Sequence, residues 1–273
     1  MLNEIDLQIV AWCTFALLCG GLIKGALGVG LPLLPVPLMA LVLPVQTAVV
    51  LMAFPVVFAN VWQAFQAKQI CSAVSRFWPS FMAILVGTYA GVVILSNLDE
   101  RSLLLAVGLL VIVFAVLQGS AYKLRLSKAF EKPAGLVFGL ASGVIGGLSS
   151  MFGPMLIIYL VSIPGLGKER FVASISFLYL ACVIPWTLIL FWFEILDGRL
   201  AMLSAAAILP VAVGMALGAK VRERVSDQRF HRLVLVVLMV SGSTMWSPGF
   251  GKAALLDARP DLSLVNASQP PCR

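Results

Sequence analysis

One lysine and three serines stand where this chain would do its chemistry. Lys24 lies inside the run Gly21 to Pro37, GLIKGALGVGLPLLPVP, and Ser142, Ser149 and Ser150 lie inside Gly139 to Pro154, GLASGVIGGLSSMFGP. An ammonium and a hydroxyl both donate hydrogen bonds to an oxyanion. So do the unpaired N–H groups at the start of a helix, which carry partial positive charge. Both runs are rich in glycine and proline, which cost about 1 and about 3 kcal/mol in a helix interior relative to alanine. Each run therefore reads as a break in an apolar helix. Gly25, Gly28 and Gly30 in the first run, and Gly143, Gly146, Gly147 and Gly153 in the second, would let backbone approach a ligand closely. Pro32, Pro35 and Pro154 suit the first turn of a new half-helix, where no N–H is required. The chemistry on offer is the binding of a small anion between two broken helices.

Each of these residues also has a plainer role. Lys24 can extend its stem to a lipid headgroup. Serines in membrane helices often bond only to backbone carbonyls, and glycines often mark close helix packing. Asn60 and Gln63, three apart on one helix face, would line a path or bond to a neighbouring helix; Tyr159 and Ser176 are weaker candidates of the same kind. The pairs Gly87/Gly91 and Gly214/Gly218 read as helix-packing sites.

Bond-making chemistry has little support. Ser142 in Ala141-Ser142-Gly143 is a conceivable nucleophile for an intramembrane hydrolase, but it needs a base within hydrogen-bond reach. The single histidine, His231, falls at the basic end of the last apolar segment. The five cysteines (13, 19, 71, 182 and 272) form no paired motif, so no metal site or disulfide framework is expected. No cofactor is expected either, and no catalytic residue is assigned.

The elements that would hold these residues are hydrophobic helices. The chain is 61% apolar and 11% charged, far from the roughly 45–50% and 25% of soluble domains. This is an all-α integral membrane protein. Apolar segments are expected at about 6–23, 31–43, 45–66 (interrupted by Pro55), 77–96 and 101–121, and again at about 133–148, 154–163, 171–193 (broken by Pro185), 199–219 and 230–246. That gives a first repeat over 1–121, a linker over 122–132, a second repeat over 133–246 and a polar tail over 247–273. The duplication rests on three correspondences. Gly21, Gly25 and Gly28 recur at one constant offset as Gly139, Gly143 and Gly146; Gly87/Gly91 match Gly214/Gly218; and Pro55 matches Pro185.

The net charge of +7 is no sign of nucleic acid, because the basic residues sit in short loops between apolar segments. The loops 67–76, 122–132, 164–170 and 220–232 hold most of the 19 lysines and arginines, which places them all in the cytoplasm. Glu4 and Asp6 then begin outside; being acidic, they do not resemble the basic start of a cleaved secretion signal, so the first segment is expected to persist. Odd numbers of crossings per half make the two repeats inverted relative to one another. Inverted repeats of about four to five segments, each with a Gly/Pro-broken helix, are the pattern of secondary transporters with substrate near the bilayer midplane.

Gly25-Ala-Leu-Gly28-Val-Gly30 with Pro35 and Pro37, and Gly143-Val-Ile-Gly146-Gly147-Leu-Ser-Ser-Met-Phe-Gly153-Pro154, resemble the two signature stretches of the TauE/SafE sulfite exporter family, and the likeness extends over about 6–246. The first stretch departs from the pattern at Val29-Gly30-Leu31-Pro32, where the family usually has a run of glycines. The resemblance implies a permease of a bacterial inner membrane, carrying sulfite, a sulfonate or a related anion. An anion channel is the alternative reading, with an intramembrane enzyme behind it. Expected partners are the small anionic substrate, membrane lipids, a coupling ion (H+ or Na+) and a second copy of the chain in a homo-oligomer; no nucleic acid is expected. The expected substrate-binding set is Lys24, Gly25, Gly28, Gly30, Asn60, Gln63, Ser142, Gly143, Gly146, Gly147, Ser149, Ser150, Gly153 and Pro154.

Overall fold

A computed structural model describes residues 4–28, 30–65, 70–119 and 126–222. The expected last segment at 230–246 and the tail at 247–273 lie outside the described residues. Every regular element among those described is helical. In chain order they are α1 (Glu4–Leu27), a 3₁₀ turn (Leu31–Leu33), α2 (Pro35–Met39), α3 (Val45–Val50), α4 (Ala53–Phe65), α5 (Ile70–Asn97) and α6 (Glu100–Gly119). A second 3₁₀ turn (Lys128–Phe130) precedes α7 (Glu131–Ser149), α8 (Gly153–Val161), α9 (Lys168–Trp192), α10 (Gly198–Ala206) and α11 (Ile208–Arg222).

Among the described residues six stretches are long and apolar enough to cross a bilayer: Leu7–Ala26, Val45–Phe65, Val74–Asn97, Glu131–Ser149, Ala173–Trp192 and Gly198–Lys220. A rise of about 1.5 Å per residue makes 20 residues span roughly 30 Å, the thickness of the hydrocarbon. Outward faces carry Leu7, Val10, Val86, Leu188 and Leu209, all exposed, as a lipid-facing surface requires. The chain is a multi-pass membrane protein.

Two helix crossings organise the bundle, and glycine makes both. On α1, Gly21 and Gly25 lie against the backbone of Val211, Gly214 and Met215 on α11. On α7, Gly143 and Gly147 lie against Ile84, Gly87, Thr88 and Gly91 on α5. A Cβ on Gly143 would stand 2.5 Å from the Ile84 carbonyl oxygen and 2.7 Å from the Thr88 nitrogen. Backbone cannot yield as a side chain can, so only glycine permits this approach. Arg76 on α5 adds a bidentate ion pair to Glu131 on α7, with Nη2 donating to Oε2 at 2.9 Å. The packing reading of Gly87/Gly91 and Gly214/Gly218 therefore holds: Gly87 and Gly91 meet Gly143 and Gly147, Gly214 meets Gly21, and Gly218 meets the backbone of Leu22 and Ala26.

The breaks follow local chemistry. α1 stops where Gly28 (φ +77°) and Gly30 (φ +87°) turn left-handed, a conformation natural to glycine. α7 stops at Ser150, also left-handed at φ +62°, whose N–H bonds the Gly146 carbonyl at 2.6 Å. Backbone groups freed in the bundle find distant partners, as hydrocarbon demands. Trp12 Nε1 donates to the Leu38 carbonyl at 2.8 Å, Trp186 Nε1 to the Gly147 carbonyl at 3.1 Å, and the Glu100 carboxylate accepts from the Val45 N–H at 2.8 Å.

Three interruptions differ from the sequence reading. The expected break at Pro185 is absent: α9 runs unbroken from Lys168 to Trp192 with Pro185 inside it. The span Val45–Phe65 breaks at Leu51–Met52, ahead of Pro55 rather than at it. Proline lacks the N–H that would bond the carbonyl four residues back, so the Leu51 carbonyl is free. The Ser204 hydroxyl on α10 donates to it at 3.0 Å and accepts from the Phe54 N–H at 3.0 Å. The expected helix at 199–219 is likewise split at Ala207, between α10 and α11, three residues ahead of Pro210.

Candidate functional site

The two breaks meet. Residues from α1 (Lys24), the first break (Gly30, Leu31, Pro32, Leu33), α4 (Val56, Asn60), the second break (Ser150, Met151, Phe152), the start of α8 (Gly153, Pro154) and α9 (Tyr179) enclose one cavity. The pairing of the broken stretches, which the sequence offers only as a repeat, is thus a spatial fact. The cavity volume is about 10 Å³, room for about one water.

Lys24 dominates its electrostatics. The residue is 4% exposed, so its ammonium does not snorkel. Nζ donates to Asn60 Oδ1 at 2.8 Å and lies 4.9 Å from the centre of the Tyr179 ring, a cation–π distance. Asn60 in turn donates Nδ2 to the Val56 carbonyl at 2.8 Å, which fixes its oxygen toward the lysine. Among the described residues, none that lines the cavity carries a carboxylate. An ammonium has three protons to donate, and Asn60 takes one of them. A buried cation with only a neutral acceptor and a ring face is under-compensated, and an anion is the group that compensates it.

Two further features point the same way. Ser150 Oγ is buried, lines the cavity and has no hydrogen-bond partner. Gly153 and Pro154 are the first residues of α8, so the positive end of that helix dipole faces the same space.

Of the predicted site residues, Lys24, Gly30, Asn60, Ser150, Gly153 and Pro154 line the cavity. The others do not. Gly25, Gly143 and Gly147 serve the helix crossings described above, a close-packing role in place of ligand approach. Gly28 supplies the left-handed turn that ends α1. Gly146 is the seat of the Phe152 ring, which occupies the space a side chain there would need. Ser142 Oγ donates to the Phe152 carbonyl at 2.7 Å, and Ser149 Oγ donates to the Ile145 carbonyl at 2.7 Å; both hydroxyls hold the second break in shape. Gln63 lies one turn beyond Asn60, outside the lining. Tyr159 donates to the Glu131 carbonyl at 3.1 Å, away from the cavity.

Sequence reasoning missed Leu31, Leu33, Val56, Met151, Phe152 and Tyr179. Tyr179 carried a usable signal, a lone hydroxyl-bearing aromatic in the middle of an apolar span; the other five look like ordinary core residues.

The family model of the sulfite exporter TauE/SafE matches residues 13–245. The chain belongs to the TauE/SafE family. The match contains both breaks and every residue that lines the cavity. Neither a curated protein nor a solved structure matches the chain. Among the described residues no cluster of His, Cys, Asp and Glu could hold a metal ion.

Proposed function

We propose that this TauE/SafE protein is a secondary transporter that carries a small oxyanion, such as sulfite or a sulfonate, across a bacterial inner membrane, with the anion held in the Lys24 cavity. The observation that carries the reading is the Lys24 ammonium: buried, bonded to the neutral Asn60 oxygen, and facing a cavity whose described lining residues include no carboxylate. The unpartnered Ser150 hydroxyl and the start of α8 supply further donors. These are the groups that replace an oxyanion's hydration shell.

The cavity's size supports a carrier over a pore. About 10 Å³ does not admit an oxyanion, so loading requires the walls to part. In this reading the two repeats are inverted, and the breaks open the site to each side in turn, driven by an H+ or Na+ gradient or by the substrate's own gradient. A channel would hold an open, multi-ion path instead.

Ligand-induced stabilisation of the purified full-length chain tests the site. A ligand that binds only the folded state at 100 times its Kd adds about 2.7 kcal/mol. Sulfite and methanesulfonate are expected to raise Tm for wild type and not for Lys24→Met, with partial recovery in Lys24→Arg. Equal stabilisation of wild type and Lys24→Met would exclude this cavity as the binding site.

A further inference from the structure

Gln63 Oε1 on α4 and Ser176 Oγ on α9 are among the buried polar atoms outside the cavity that have no hydrogen-bond partner. Ser176 is 1% exposed. Leaving such a group unpaired costs about 1–3 kcal/mol, a cost that persists through evolution where it serves something else. Thr88 Oγ1 is also unpaired; its backbone packs against Gly143 and Gly147 at the α5–α7 crossing, away from the cavity.

Gln63 and Ser176 differ from Thr88 in where the fold puts them. α4 and α9 pack against each other. Phe54, near the start of α4, meets Phe191, near the end of α9, at 6.2 Å between ring centres. Farther along α4 and farther back along α9, Asn60 and Tyr179 share the cavity wall. The two helices are therefore antiparallel. Gln63 lies three residues past Asn60, and Ser176 three residues before Tyr179. A spacing of three keeps each on the same helix face as its cavity-lining neighbour and carries it about 4.5 Å along the axis. Antiparallel direction makes both displacements point the same way, toward the end where α4 finishes at Phe65 and α9 begins at Lys168. Arg170, exposed in the first turn of α9, lies at that end.

We propose that Gln63 and Ser176 form a second polar station on the substrate's route, one helical turn from the Lys24 cavity toward the end where α4 finishes and α9 begins. The proposal rests on the anion-transport reading above. The Ser176 hydroxyl is a rotatable donor, and the Gln63 amide presents its NH2 in place of its oxygen by a half-turn of its terminal bond. Both groups are neutral, so the station passes an anion without holding it; the charge that holds it stays at Lys24.

The test is sulfite and methanesulfonate counterflow in proteoliposomes of the full-length chain, comparing wild type with Gln63→Leu, Ser176→Ala and the double variant. Sulfite-induced Tm shifts are measured on the same preparations. Transport is expected to fall at least tenfold in the double variant. Its ligand-free Tm should equal or exceed wild type, because an unpaired buried group has been removed, and its sulfite-induced shift should be retained. A residue that merely supports the fold would lower Tm instead. Ser176→Thr, which restores a hydroxyl, should transport better than Ser176→Ala. A double variant that transports within twofold of an active wild type overturns the station and leaves the Lys24 site standing. Loss of the sulfite-induced shift together with transport also overturns it, since the pair would then belong to the binding site or the fold. A wild type that moves neither anion overturns the transport reading and the station with it. Ser176→Ala removes a single oxygen, so the comparison survives even if Gln63→Leu fails to fold.

Discussion

Replacing Ser204 by alanine tests whether one hydroxyl holds the break that aims Asn60 at Lys24. The Ser204 oxygen is fully buried and makes two bonds of 3.0 Å, one from the Phe54 N–H and one to the Leu51 carbonyl. Ser204→Ala strands both backbone groups. Unpaired buried groups cost about 1–3 kcal/mol each by soluble-protein measurements, which would total roughly 2–6 kcal/mol. Interhelical hydrogen bonds measured within membranes average about 0.6 and reach about 1.7 kcal/mol, because the loosened state finds other partners. The membrane figure applies here, so we expect a loss of about 1–3 kcal/mol. The cause of the free carbonyl is Pro55, which has no N–H for Leu51. Pro55→Ala supplies that N–H and should let α3 run on into α4. In the Ser204→Ala background it is therefore expected to recover a large part of the loss, whereas alone it competes with a bond already made. The assay is a double-mutant cycle by reversible unfolding in mixed detergent, with a coupling of about 0.5 kcal/mol or more expected for neighbours sharing one partner. Additive effects, or a Ser204→Ala chain as stable as wild type, would refute the reasoning.

Two further outcomes follow from the backbone. Gly143→Ala should lower stability by about 1–3 kcal/mol, as overpacking does, while the folded fraction keeps its sulfite-induced Tm shift; Gly146→Ala displaces the Phe152 ring that lines the cavity and should weaken that shift as well. Equal ligand responses in the two variants would contradict their separate placement. Glu194 is exposed and left-handed at φ +56°, just past the end of α9, with its N–H bonded to the Phe191 carbonyl at 3.0 Å. Glycine adopts that conformation without the roughly 1–2 kcal/mol penalty of other residues, offset in part by its greater unfolded-state freedom. Glu194→Gly should therefore raise stability by about 1 kcal/mol in thermal unfolding, and a fall would show that the carboxylate has a structural role.

The fold was legible because hydrophobic length and Gly/Pro punctuation act locally. The Gly28–Gly30 and Ser150–Phe152 breaks fall within residues where the sequence puts them, since a left-handed turn needs glycine or a tolerant substitute. The role of each glycine was not legible. Gly25 and Gly30 look alike in the chain, yet one meets the backbone of α11 and the other the cavity. What separates them is which neighbour the helix turns them toward, a tertiary fact. Ser204 was unreadable for the same reason: its partners lie some 150 positions away. Pro55 announced a break, but the break appears at Leu51–Met52, because a proline frees the carbonyl one turn before it.

The two halves of the cavity do unlike work, and that bears on what can bind. By the offset that aligns the glycines, Lys24 corresponds to Ser142. Lys24 turns into the cavity and reaches Asn60, whereas Ser142 spends its proton on the Phe152 carbonyl. The first break thus brings the charge, and the second brings a shaped loop with one spare hydroxyl and a helix start. A symmetric site with a lysine from each half would set two buried cations against each other with no carboxylate between them, at several kcal/mol per ion. One cation beside one dipole end needs a single negative charge for balance. For the transport reading proposed above, a monoanion is therefore the ligand whose charge this site balances.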